Sequence, residues 1–282
     1  MKITRAFSKL LAVGAAFFAL QSNAQTTILS EGFNNSVQGS ITLGGGGYFG
    51  GNNPSNGLPA NVPRFVEGTH SRGVNNGTGT ILTGSINTLG YTNISLSFRL
   101  ASLSTTAGNG ADGTDFTQVE ISTNGGSTFS SEVQINGNNN SYWSFAATGS
   151  SSTAFDGNNT ASVVSTTANE NLNGPALITL TNIPADDNLV IRITMRNNAA
   201  GELWLVDNLQ LIGTIDGVDT AVISSILPSP INQGSNTTAA VAVFEPGVTN
   251  NAGQGSGISV DIGYSSNNTN PSLGGFTWVA AT

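Results

Sequence analysis

Two acids sit inside apolar strands at the two ends of a long, strand-rich stretch. Glu31 belongs to Ile28-Leu29-Ser30-Glu31-Gly32-Phe33, and Asp207 to Glu202-Leu203-Trp204-Leu205-Val206-Asp207-Asn208-Leu209. By strand alternation Asp207 shares a face with Leu203, Leu205 and Leu209. A carboxylate in apolar company needs a hydrogen-bond partner, a cation or a shifted pKa. A metal near the terminal strands, where Glu31 and Asp207 sit, is one way to satisfy such an acid. The competing description is a carboxylate tied to turn amides or to an arginine such as Arg99. A second oxygen-rich run, Asn109-Gly110-Ala111-Asp112-Gly113-Thr114-Asp115, is shorter than an EF-hand loop and lacks its closing bidentate acid. It reads better as a solvated turn.

Catalytic patterns are weak. His70 is the sole histidine and there is no cysteine, so a typical zinc site cannot be built. A serine triad would need His70 as base, and no Gly-x-Ser-x-Gly elbow accompanies it. Gly45-Gly46-Gly47-Tyr48-Phe49-Gly50 fits a dinucleotide spacing, but no helix follows, so it is a glycine-rich loop. A glycosidase needs two carboxylates facing one groove. Glu202 and Asp207 are an odd number of residues apart, so a regular strand sends them to opposite faces. Glu120 and Glu132 flank the Asn124-Gly125 turn and could approach each other, but alternation makes them surface acids. A sugar platform would use exposed aromatics. Trp143 and Phe145 read as core, which leaves Tyr48 and Tyr142 as the exposed candidates for ligand binding.

The elements that position these residues are strands. Ile94, Leu96, Phe98 and Leu100 alternate with Ser95, Ser97 and Arg99, and Leu189, Ile191, Ile193 and Met195 alternate with polar residues. Asn-Gly and Asp-Gly steps such as Asn76-Gly77, Asn124-Gly125, Asn136-Gly137 and Asp156-Gly157 tolerate positive φ and favour hairpins. Helix signals are nearly absent after residue 24. An all-β, antiparallel sandwich over residues 25–213 follows, with long surface loops at 44–63 and 148–160. Residues 214–220 read as a linker, and residues 221–282 as a second, partial β module. That module stops in a strand-like run, so the chain is expected to be a fragment of a longer protein.

The first 24 residues read as a secretory signal. Lys2, Arg5 and Lys9 form a basic start, Leu10–Leu20 an apolar run too short to span a bilayer, and Ser22-Asn23-Ala24 a small-x-small cleavage site. No later segment is apolar enough to cross a membrane as a helix. The predicted destination is the secreted fraction or the cell surface. Removing the signal leaves five arginines, no lysine and 16 acids, a net charge of −11. Such a surface repels nucleic acid, whose binding needs basic side chains. Without cysteine there is no disulfide, so stability rests on burial, backbone ladders and bound cations.

Four pieces, in this order, resemble the jelly-roll modules of secreted, multidomain Bacteroidetes-type proteins, related in style to MAM, laminin-G-like and carbohydrate-binding sandwiches. They are Leu29–Phe33, the strand Tyr91–Leu100, the hairpin Asp115–Phe129 with Asn124-Gly125-Gly126 at its tip, and Trp204-Leu205-Val206-Asp207-Asn208. The resemblance implies a jelly roll, and a structural Ca²⁺ shared by the first-strand and last-strand acids, here Glu31 and Asp207. The stretch around Gly247-Val248-Thr249 and Phe276-Thr277-Trp278 resembles the opening of an Ig-like repeat. Asp219-Thr220-Ala221 matches the O-glycosylation pattern of such exported proteins, which implies modification at Thr220. The function implied is a non-catalytic binding or adhesion module whose partner is a polysaccharide or cell-surface glycan. The alternative is a spacer or accessory domain of a larger secreted enzyme.

Overall fold

The computed structural model describes residues 25–37, 39–53, 61–106, 108–169, 171–216, 220–227, 238–244, 249, 260–264 and 277–280. The expected signal at 1–24 and residues 217–219 of the expected linker at 214–220 lie outside these residues. The chain divides into two compact units, the first Asn23–Ile215 and the second containing Asp216–Thr282. The described residues form strands and turns without a helix.

In the first unit the strands are β1 (Gln25–Glu31), β2 (Thr42–Gly44), β3 (Gly47–Gly50), β4 (His70–Val74), β5 (Gly77–Leu82), β6 (Tyr91–Ser104), β7 (Phe116–Ser122), β8 (Ser130–Asn136), β9 (Gly149–Ala154), β10 (Ser162–Ser165), β11 (Pro175–Ile183), β12 (Val190–Asn197) and β13 (Glu202–Ile215). They make two sheets. One runs β3-β4-β13-β6-β11-β9, with β1 also paired to β13; the other runs β10-β8-β7-β12-β5-β2. The long strand β13 meets β6 along one edge, and β4 and then β1 along the other.

Three expectations change. The sandwich is not wholly antiparallel, because β9 runs parallel to β11 and β10 parallel to β8. The stretch read as a loop at 44–63 holds β3, laddered to β4, and the one at 148–160 holds β9. Both strands are rich in Gly or Ser and lack the apolar alternation that marks a strand in sequence. Backbone pairing at a sheet border makes them strands all the same.

The alternating residues build the core between the sheets. Ile94, Leu96, Phe98, Leu100, Trp204 and Val206 from one sheet pack on Val119, Ile121, Val133, Ile135, Ile191, Ile193 and Met195 from the other. Trp143 and Trp204 meet edge to face, with ring centroids 5.5 Å apart at 71°. A smaller cluster of Ala101, Leu103, Leu203, Leu205 and Phe145 lies on the opposite side of the β6–β13 pair, with Phe49 and Val62 packed against it. In the second unit β14 (Thr220–Leu227) pairs antiparallel with β15 (Thr238–Phe244), and β16 (Asp261–Tyr264) with β17 (Thr277–Ala280).

Candidate metal centre and neighbouring clefts

Asp207 is fully buried, but it does not share a face with Leu209. A bulge lies between Asp207 and Gln210 on β13, and Asn208 there has φ 47°. The extra residue reverses the facing of the strand. Leu203 and Leu205 belong to the smaller cluster, whereas Leu209 and Leu211 join the main core. The Asp207 carboxylate is held by backbone amides: Oδ2 accepts from Val66 N at 2.5 Å and Glu67 N at 3.3 Å, and Oδ1 from Asn208 N at 2.7 Å. Burial raises its pKa, and these amides work against that rise. This is the amide-bound description weighed from sequence. Arg99, across the ladder from Asp207, donates instead to the Phe145 carbonyl. Glu31 is buried opposite Leu209, and its Oε1 accepts from Phe33 N at 2.6 Å.

A different set of acids converges. One carboxylate oxygen each from Asp112, Asp115 and Glu202 lie within 4.8 Å of one another, a group that could hold a metal ion. The loop read as a solvated turn supplies two of them. Asp112 Oδ1 accepts from Thr114 N at 2.8 Å and Thr114 Oγ1 at 2.7 Å, and Asp115 Oδ2 accepts from Asp112 N at 2.8 Å. The third comes from the start of the last strand of the first unit. Glu202 opens β13 at the parity of Trp204 and Val206, the two main-core residues, and its Oε2 accepts from Ala199 N at 3.1 Å. Asp115 is 1% exposed and Glu202 4%. Burial first, and then the charge of Asp115, push Glu202 up to about 7. Burial likewise raises Asp115, whereas hydrogen bonds from Thr114 hold Asp112 down. The separated sequence positions hid this group. The one signal available was the acid-rich loop beside a strand start.

The remaining expectations fare differently. Tyr142 is 7% exposed and buried beside Trp143, so it offers no sugar platform. Tyr48 is half-buried on β3, with the Arg72 guanidinium 5.6 Å from its ring. Trp143 and Phe145 are core, as read, although they fall in different clusters. Thr220 is not in an unladdered linker, because its backbone opens β14 opposite Phe244; its side chain lies outside the described residues. His70 opens β4, with Nδ1 2.9 Å from Thr69 Oγ1.

The glycosidase candidates are tied into the scaffold. Glu120 makes a two-pronged pair with Arg192 at 2.6 and 2.8 Å, and the same guanidinium stacks 3.9 Å from the Phe129 ring. Glu132 is buried and accepts from Ser130 Oγ at 2.6 Å and Asp156 N at 3.0 Å. Beside them lies a cleft of about 230 Å³ lined by Phe129, Phe155, Thr123, Thr128, Ser130 and Asn159, among others. A second, more apolar cleft of about 250 Å³ is lined by Val62, Pro63, Phe65, Val66 and Phe145 with two neighbours.

No family model matches the chain, and no curated protein matches it. Among solved structures it is similar to the K3 cleaved adhesin domain of Lys-gingipain from Porphyromonas gingivalis w83, at 11% identity and a TM-score of 0.37, over 67% of this chain and 99% of that one. It is similar too to the K2 cleaved adhesin domain of Lys-gingipain, at 16% identity and a TM-score of 0.34, over 67% of this chain and 97% of that one. A likeness this remote leaves the function to be read from the molecule's own sites.

Proposed function

We propose that this chain is a non-catalytic binding and adhesion module of an exported protein, and that its ligand is a saccharide. The supporting observation is the cleft between Phe129 and Phe155. The half-buried Phe129 and Phe155 rings border it and offer apolar edges for the C–H side of a sugar, and the mostly polar lining of Thr123, Thr128, Ser130 and Asn159 offers hydroxyl and amide groups. The acids beside it are engaged elsewhere. Glu132 accepts from the Ser130 hydroxyl and the Asp156 amide, and Glu120 is neutralised by Arg192, which in turn backs the Phe129 ring. Hydrolysis would need one acid protonated and one free, both facing the sugar. This arrangement favours holding a sugar over cleaving it. The predicted signal at 1–24 and the lysine-free acidic surface fit an exported role.

A polysaccharide array with the whole chain tests the reading. Saturable binding is expected, lost in Phe155→Ala with the circular dichroism unchanged. Turnover of any polysaccharide that disappears in Glu132→Gln or Glu120→Gln overturns it and makes the protein a glycosidase.

A further inference from the structure

We propose that Asp112, Asp115 and Glu202 form a calcium site that ties the two sheets together at one end of the sandwich. Asp115 immediately precedes β7 of one sheet, and Glu202 begins β13 of the other. An ion held by both spans the sandwich without a covalent link, in a chain that has no cysteine to make one.

Three acids close together are not enough for a site, because carboxylates often cluster on turns. The independent observation is Asp115 Oδ1. It is buried, belongs to a residue 1% exposed, and has no hydrogen-bond partner of good geometry; the Asn198 amide and the Glu202 carboxyl are near enough to act on Asp115 but do not meet that oxygen in a formed bond. A buried carboxylate oxygen without a donor forgoes its hydration for nothing in return. Its sister oxygen Oδ2 is fixed by Asp112 N, so the carboxylate cannot rotate to relieve it without breaking that bond. The charged groups that act on Asp115 and Glu202 are the other members of the trio, all acids. The one ion pair among the described residues, Arg192 with Glu120, is a separate contact. A cation is therefore the partner whose charge and donor preference complete this arrangement.

The donor set selects the ion class. All three ligands are hard carboxylates, and the sole histidine, His70, is on β4 with Thr69 as its partner. Oxygen-only sites of this kind suit Ca²⁺ or Mg²⁺, not zinc or copper. Calcium accepts irregular geometry at about 2.3–2.6 Å, so its ligand oxygens can lie up to about 5 Å apart across the ion, whereas Mg²⁺ demands a tighter octahedron. A site assembled from a loop and a strand end suits the looser ion. The loop is already shaped for it, since Thr114 pins Asp112 and Asn198 Nδ2 donates to Thr114 Oγ1 at 2.8 Å. The competing arrangement is a proton shared between Asp115 and Glu202.

Calorimetric titration of the EDTA-stripped whole chain with CaCl₂, together with melting curves, separates these. The wild type is expected to bind Ca²⁺, with one equivalent lost in Asp115→Asn and in Glu202→Gln. Its melting point should rise by roughly 5–10 °C at a hundredfold excess over Kd, less in either variant by that site's share. Asp112→Asn, at the more exposed edge, covers the case in which a core variant fails to fold, and should weaken that equivalent at least tenfold. Asp207→Asn is the control and should keep it. No Ca²⁺ binding by the wild type overturns the proposal in favour of the shared proton. Loss confined to Asp207→Asn overturns it in favour of an ion at Glu31 and Asp207. Saccharide binding is scored separately, so failure of one reading leaves the other to stand or fall alone.

Discussion

At the scale of single residues, the chemistry of this protein is decided by which acids are satisfied. Asp207 is as deeply buried as any acid among the described residues, but three backbone amides solvate it. Glu202 has one amide and two negative neighbours, and its pKa rises to about 7. This has a signed consequence for the cation-free protein. Glu202 takes up its proton in the fold at a higher pH than in the unfolded chain, whose value is 4.5. Between the two values the fold binds more protons than the unfolded chain, so stability falls as pH rises through that window and levels off above it. In EDTA, the difference in unfolding free energy between wild type and Glu202→Gln should therefore shift by about 1–3 kcal/mol against the wild type from pH 4.5 to 8. Denaturant titrations at both pH values measure it, and parallel profiles for the two proteins would refute it.

At the scale of elements, the bulge at Asp207-Asn208 has the largest effect. Asn208 has φ 47°, a left-handed conformation that asparagine and glycine tolerate and β-branched residues do not. That single extra residue lets β13 place Trp204 and Val206 in the main core, then Leu209 and Leu211 on the same side, with Asp207 turned to the other. Asn208→Val should cost about 1–3 kcal/mol, and Asn208→Gly should fall within about 1 kcal/mol of wild type. Urea denaturation of the two variants checks this. Equal losses would mean that the Asn208 side chain, whose Oδ1 accepts from Gln210 Nε2 at 3.0 Å, matters more than its backbone.

At the scale of the whole molecule, the first unit has its own two-sheet core. Its centre is the Trp143–Trp204 contact, which joins the excursion after β8 to the last strand. Trp143 is also hydrogen-bonded through Nε1 to the Leu100 carbonyl at 3.0 Å. Trp143→Ala should destabilise the unit by about 3–5 kcal/mol through lost transfer energy and the cavity left behind. Residues 25–215 expressed alone should fold with a far-UV spectrum of strand and almost no helix. A helical spectrum, or a Trp143→Ala variant as stable as the parent, would contradict this account of the core.

The sequence by itself determined the class of this protein: strands with a two-sheet core, no helix among the described residues, and no disulfide. Period-two alternation and Asn-Gly turns act locally, and each strand such as Ile94–Leu100 carries its own evidence for which face is buried. The opposite facing of Glu202 and Asp207 was legible for the same reason. Local pattern could not supply the rest. The Ser-rich β9 and Gly-rich β3 are strands only because a neighbour offers its backbone, and the bulge that moves Leu209 depends on one residue's φ. Tyr142 is buried, which no local pattern around it announces. The acid group at Asp112, Asp115 and Glu202 depended most on the tertiary structure. Asp112 and Asp115 are neighbours in one loop, but Glu202 is remote in sequence, and only the closing of one sheet over the other brings it to that loop.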